Sequence, residues 1–447
     1  SLIDKINAIV YRVSTLGLTR VLILGLVIRI GLMPFTAHPF DVYIWYRICN
    51  KIVNQGMSPY EILSTPRPLW ILTLALIGYT YNWLSSVTGI KALPVNELPS
   101  EMDPKWGIKY IPGPLFNTLV KIPMLISDTL LAILLYKMMS KYYDEKKGIT
   151  AATLFYLNPA VIWISAAWGQ YETIPALFTV LSIYLFVRKR YLLSSSCLLI
   201  ATAYKAYPIA ISAPILICLL KRKEFKGLVK FLSLFIILIP ILHGISKGIY
   251  SQITGSFCNV TGFGLTYWSI SLLIPLDPII SSFISNILVV ISLMYSLYLM
   301  LKINYNNPLR DVTLLAVIMG LGVFLTYRYL FEQRFSWLIP LLITVTSIEP
   351  RILGKVLALS LLTFFYAQKN FPYYLLPIAT LNSNILLPLF HKTSSLRITN
   401  ENVIMPTIPS ALILAILGIL FSLIALSVYI KLIKIIELTN NHKGHKP

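Results

Sequence analysis

Four stretches of the chain carry side chains whose types, taken together, could do chemistry. His38 and Asp41 stand in His38-Pro39-Phe40-Asp41-Val42-Tyr43. Gln170 and Glu172 stand in Trp168-Gly169-Gln170-Tyr171-Glu172, and Lys205 is followed by Tyr207 and Pro208. Arg328, Glu332, Gln333 and Arg334 form a charged cluster farther on. Carboxylates can take the proton of an attacking hydroxyl. Arginine and lysine can hold the charge that grows on a departing phosphate. The combination points to transfer of a group from a phosphate ester. Each residue also has a plainer role open to it. Asp41 and Glu172 could cap the helices that come after them. Lys205 could snorkel to a membrane surface, Glu332 could pair with Arg328 and Arg334 for structure alone, and His38 could be structural. No motif specifies a cofactor; a divalent cation, Mg or Mn, stays open.

The elements that must position these residues are membrane helices. The chain is 57% hydrophobic and only 12% charged, against roughly 25% charged in a soluble domain. Its mean hydropathy is +0.75, and a bilayer is the solvent in which so much apolar surface is stable. The formal charge is +21. The cations sit in short runs between apolar stretches, which is the pattern of inner loops and not of a nucleic-acid surface. Segments long enough to span, or nearly so, lie near 21–37, 116–136, 149–167, 173–187, 191–204, 207–220, 228–245, 283–301, 312–330, 335–348, 353–368 and 409–433. With the N-terminus inside, these 12 spans put every basic cluster on one side, including Arg188-Lys189-Arg190 and Lys221-Arg222-Lys223. The C-terminus then also returns inside.

The expected organisation is therefore an all-α polytopic membrane protein with one transmembrane domain over 21–435. Residues 1–20 form an amphipathic segment on the inner surface, with Lys5, Arg12 and Arg20 among the headgroups, and 436–447 form a polar tail. Residues 38–115 form a long first outer loop. Its apolar stretch from Pro68 to Ile90 would invert every later loop if it spanned, so it is read as an interfacial helix. Residues 246–265 and 369–408 are outer loops, the first holding an N-x-T acceptor at Asn259. Asp128 stands within the second span and could hydrogen-bond a neighbouring span. Cys49, Cys197, Cys218 and Cys258 have no metal-ligand spacing. All the candidate residues fall at the outer ends of spans, where a lipid-borne substrate arrives from the side.

These residues carry a family likeness. The stretches are Asp41 with Gly56 to Glu61 (GMSPYE) and Pro66 to Trp70 (PRPLW); Lys121 to Tyr136; Tyr156 to Arg190; and Tyr204 to Pro214. Phe331 to Leu342 matches more loosely. In this order and spacing the chain resembles the GT-C polyprenyl-phosphate-sugar glycosyltransferases. It looks closest to the branch with the first mannosyltransferase of GPI-anchor assembly and its prokaryotic and archaeal relatives. The likeness covers about the first 220 residues. It implies a GT-C-like fold and an inverting hexosyltransferase, with mannose favoured. The donor would be a polyprenyl or dolichyl phosphate sugar and the acceptor a lipid-linked sugar or glycan. It implies a multi-pass plasma-membrane protein whose active site faces outside, or the ER lumen in a eukaryote. It implies Asp41 as base and places Lys205 and Tyr207 in the donor region; the position of His38 beside Asp41 in the sequence adds it as an assistant to the base. Arg328 and Arg334 add phosphate-binding candidates; Gln170, Glu172, Glu332 and Gln333 would contact sugar or acceptor. The family often has a paired-acid pattern where this chain has Asp41-Val42-Tyr43, which leaves metal dependence open. The rival reading is a transporter or lipid-linked-sugar flippase. That would place ionisable residues at mid-membrane and repeat its helices in inverted order.

Overall fold

The computed structural model describes residues 17–57, 67–94, 109–235, 262–274, 276–370, 375–380, 396–398, 404–406 and 408–441. Residues 1–16 of the segment expected on the inner surface, the Asn259 acceptor, Cys258 and most of the predicted span 228–245 lie outside the described residues, while residues 17–20 begin the first helix.

The chain is mostly helical. Helix α1, Gly17–Leu32, precedes two helices of the segment expected to be the first outer loop, α2 (Pro39–Gln55) and α3 (Pro68–Thr88). Proline opens both loop helices at their first position, where its missing N–H costs nothing. A left-handed glycine closes each, Gly56 at φ 64° and Gly89 at φ 71°. Helix α4 runs from Pro114 to Tyr142, and α5 from Glu145 to Tyr156. After them come α6 (Pro159–Ile162) with a π-helical turn Trp163–Trp168, α7 (Thr173–Val187) and α8 (Tyr191–Tyr204). The turn Tyr207–Ile211 leads into α9 (Ser212–Lys221), and then α10 (Phe225–Leu232). The second half holds α11 (Pro278–Lys302), α12 (Pro308–Thr326), α13 (Glu332–Ile348), α14 (Leu353–Asn370) and α15 (Ile408–Asn441).

Among the described residues five helices are long and apolar enough to cross a bilayer, or six if the bent pair α5–α6 makes one span. Helix α4 has 29 residues, about 43 Å at 1.5 Å per residue, enough to cross hydrocarbon and headgroups together. The segments 173–187, 191–204 and 207–221 are shorter apolar helices. The expected span 149–167 is not one straight helix. It breaks at Asn158-Pro159, and its halves bend by 45°. Proline cannot continue the ladder, and the Asn158 side chain caps the second half by accepting from the amides of Ala160 and Val161 at 3.0 and 3.4 Å. An all-α reading also omits three two-stranded ladders of two or three residues each. One of them joins Phe263–Gly264 in parallel to Tyr329–Leu330.

Helices consecutive in the chain pack as hairpins, α4 with α5, α7 with α8 and α11 with α12. Most buried apolar residues join one core through these helices and α13 to α15. A second, smaller core lies beneath the loop helices. There Val42, Trp45 and Cys49 of α2 meet Trp70, Leu74 and Ile77 of α3, with Phe116 and Tyr171 below.

Asp128 finds a partner that sequence reading missed. Arg29 of α1 donates from Nε to Asp128 Oδ2 at 2.7 Å, and both side chains are fully buried. Ser165 donates to the same oxygen at 2.6 Å. The guanidinium also donates to the Tyr156 carbonyl at 2.8 Å and lies 4.1 Å over the Tyr156 ring. Removing one partner of such a pair leaves a buried charge alone. Asp128→Leu is expected to cost about 3–5 kcal/mol of stability, seen as a lower thermal midpoint in detergent. The double variant Arg29→Leu/Asp128→Leu recovers most of that loss; an equal loss in the double would show that the pair is not its source.

Candidate active site

The centre forms where the first loop helix meets the π turn. His38 is the N-cap of α2, and its Nδ1 accepts the Asp41 amide at 3.2 Å. His38, not Asp41, therefore does the capping. The Asp41 carboxylate turns across to the bundle. Its Oδ2 accepts from Trp168 Nε1 at 2.7 Å and from Gln170 Nε2 at 2.6 Å. The side chain keeps 19% of its surface exposed, so it is held from one side and open on another. The His38 ring stacks on Trp168, centroids 4.5 Å apart, and its amide donates to the Trp168 carbonyl at 3.0 Å. Burial lowers the His38 pKa to about 4, against the opposing pull of Asp41. His38 is thus neutral near pH 7 and braces Asp41 as cap and stacking surface.

The π turn makes this geometry. It inserts one residue per turn relative to an α-helix and so re-aims the residues after it. Gly169 then takes φ +92°, and a Cβ there would lie 3.1 Å from Val42 Cγ2 and 3.2 Å from Lys121 Cε. Trp168 and Gln170 leave this bend side by side and reach the same oxygen.

A second group gathers around Glu172, which is fully buried. Its carboxylate accepts from Lys205 Nζ at 2.7 Å and from the Tyr207 hydroxyl. It makes no cap hydrogen bond to α7, so the capping role that was open to it is not taken. Lys205 and Ala206 separate α8 from the next turn, which puts the Lys205 ammonium 4.5 Å over the Tyr171 ring. Tyr207 packs edge-on to Trp337 at 4.8 Å. Arg334 and Arg67 both lie within electrostatic reach of Glu172 and Lys205. Arg67 faces Tyr171, Glu172 and Asp41, whose charges raise its pKa above the ordinary value.

Arg67 was not among the candidates. It stands in the Pro66 to Trp70 stretch, next to the start of α3, and a loop arginine in sequence has no visible direction. Arg328 turns to other neighbours instead. It donates to the Pro278 carbonyl at 3.1 Å and lies 4.8 Å over Tyr329. The plainer role open to Glu332, pairing with Arg328 or Arg334, is not taken; its Oε1 accepts from Asn370 at 2.9 Å. Among the described residues, Glu332 Oε2, Gln333 Oε1 and Gln170 Oε1 are buried acceptors with no hydrogen-bond partner. Such acceptors suit a ligand rich in hydroxyl donors. Among the described residues no three His, Cys, Asp or Glu side chains group as metal ligands.

This layout can take a proton at Asp41, bind an anion through Arg67, Lys205 and Arg334, and receive hydroxyls at the unpaired oxygens. The chain is similar to two proteins named GPI mannosyltransferase 1. One, from Schizosaccharomyces pombe, is 28% identical over 193 residues, 43% of either chain. The other, from Candida albicans, is 28% identical over 180 residues, 40% of this chain and 37% of that one. The similarity thus spans less than half the length of these relatives. No protein-family model matches the chain.

The cation group sets two expectations. Burial lowers the Lys205 pKa to about 8, partly offset by Glu172. The ammonium is charged below that value and lost as pH rises through it. A short-chain prenyl phosphate should therefore bind more weakly as pH climbs from 7 to 9 in a titration, and Lys205→Arg should remove that limb. With Arg67→Ala the same probe should lose about tenfold or more in affinity, the scale of a charge-assisted hydrogen bond. Arg328→Ala should stay within about twofold; the reverse ranking would misplace the anion site.

Proposed function

We propose that the chain is an inverting glycosyltransferase that moves a hexose, mannose by the name of its relatives, from a polyprenyl or dolichyl phosphate to a lipid-linked or glycan acceptor. On this reading the long helices, the three short apolar helices and the remaining segments make a GT-C-like bundle of about 12 spans. The reaction centre faces the outer side of the membrane, where the positive-inside pattern puts these loops.

The observation that carries the reading is the placement of one open carboxylate beside a cluster of three cations. Asp41, aimed by Trp168 and Gln170, takes the proton of the acceptor hydroxyl. The hydroxyl oxygen attacks the anomeric carbon from the face opposite the phosphate. The bond from that carbon to the phosphate oxygen breaks, and the configuration inverts. Charge growing on the leaving phosphate is met by Arg67, Lys205 and Arg334, with Tyr207 as a further hydroxyl donor. Glu172 holds Lys205 in place and keeps the cations from repelling one another. The unpaired acceptors of Gln170, Glu332 and Gln333 bind sugar or acceptor hydroxyls. His38 supports Asp41 rather than taking a proton itself, because burial disfavours its protonated form and its Nδ1 already accepts the Asp41 amide. The similarity to two GPI mannosyltransferases 1 supports the sugar and the acceptor class.

Mass spectrometry of lipid-linked glycans from cells with and without the protein tests the activity, and loss of one hexose at one position is the expected result. Asp41→Asn keeps size and hydrogen-bonding capacity but not basicity. It should lower kcat by about 10²–10⁴-fold with an unchanged thermal midpoint. An Asp41→Asn enzyme with full transfer activity would remove Asp41 from the mechanism.

A further inference from the structure

Lys121 is a charged side chain that the proposed mechanism does not use. It belongs to α4 and is fully buried. Its ammonium donates to three backbone carbonyls: Met33 and Ala167, each at 3.1 Å, and Thr36. Three acceptors match the three N–H groups of a protonated lysine. They come from two separate arms of the chain. Met33 and Thr36 lie just after α1 and lead directly into His38 and Asp41. Ala167 is the last residue before Trp168, and Gln170 comes two positions later. The arm that carries the carboxylate and the arm that aims it therefore meet on one ammonium. Gly169 sits against the Lys121 stem, where a Cβ would come within 3.2 Å of Cε. An apolar side chain of similar length would fill this space without desolvating a charge. It could not hold three carbonyls about one point.

We infer that Lys121 is a positioning residue of the reaction centre. Its ammonium sets the separation between Asp41 and the donors Trp168 and Gln170, and so the direction in which the Asp41 carboxylate faces an acceptor hydroxyl. The inference rests on the reading of Asp41 as the base.

The test compares purified wild-type protein with Lys121→Met and Lys121→Arg. Methionine removes all three donors; arginine keeps a cation but spreads its donors over a planar fork. Lys121→Met should lower kcat by about thirtyfold or more, with KM for donor and acceptor within about threefold, as a misplaced reacting group does. Lys121→Arg should recover part of that loss. Hydrogen–deuterium exchange gives a readout independent of activity. Peptides covering 33–42 and 165–172 should exchange about fivefold faster or more in Lys121→Met, with peptides of α11 unchanged. If Lys121→Met does not fold, Lys121→Arg decides by the same kcat and KM split. Activity per folded molecule within about twofold of wild type, or unchanged exchange in both peptides, overturns the inference. A wild-type protein that moves no hexose would instead overturn the proposed function, and the exchange comparison alone would then decide the placement of Lys121.

Discussion

A largely buried carboxylate is stable where the protein supplies its hydrogen-bond donors, and Asp41 is held in that way. Its donors, Trp168 and Gln170, lie 127 and 129 positions away in the chain. The bonds tie α2 to the bundle, so α2 and the helices beneath it act as one support. The aromatic packing of Trp45, Trp70 and Tyr171 continues that support below the carboxylate, with the Trp70 and Tyr171 rings stacked 4.1 Å apart.

The junction exists because a helix is broken. Asn158 and Pro159 end one ladder and start another, and Asn158 Nδ2 donates to Ser360 at 3.0 Å, which anchors the break to α14. The π turn and the left-handed Gly169 then spend the remaining length on turning the chain. A straight span over 149–167 would have sent Trp168 and Gln170 elsewhere. Irregular backbone at membrane depth is tolerated where it is buried in protein, and here Ile164 to Trp168 are all buried.

Charge is sorted by role across the molecule. Arg29 and Asp128 neutralise each other deep in the bundle and join three helical segments. Near the junction the balance is unequal, because Arg67, Lys205 and Arg334 gather around Glu172 as the nearest carboxylate that binds one of them directly. That excess of positive charge suits a phosphate and would be costly with nothing to hold. The unpaired oxygens of Gln170, Glu332 and Gln333 carry the complementary preference for hydroxyl groups.

Composition and the spacing of apolar runs were enough for the helical membrane class, since no aqueous fold can cover so much apolar surface. The types of Asp41, Glu172 and Lys205 were enough to mark them as costly near lipid and so worth holding in one place. Direction was not legible. Arg67 and Arg328 look alike in sequence, yet one faces Glu172 and the other a carbonyl at Pro278. Glu332 sits between two arginines in the chain and bonds Asn370. Arg29 and Asp128 are 99 positions apart, and no local pattern pairs them. A sequence determines what each side chain can do and roughly how deep it lies, because those depend on side-chain type and local hydropathy. Which groups share a site was decided only by tertiary structure, because it depends on where helices break and cross, and those are set by contacts between residues far apart in the chain.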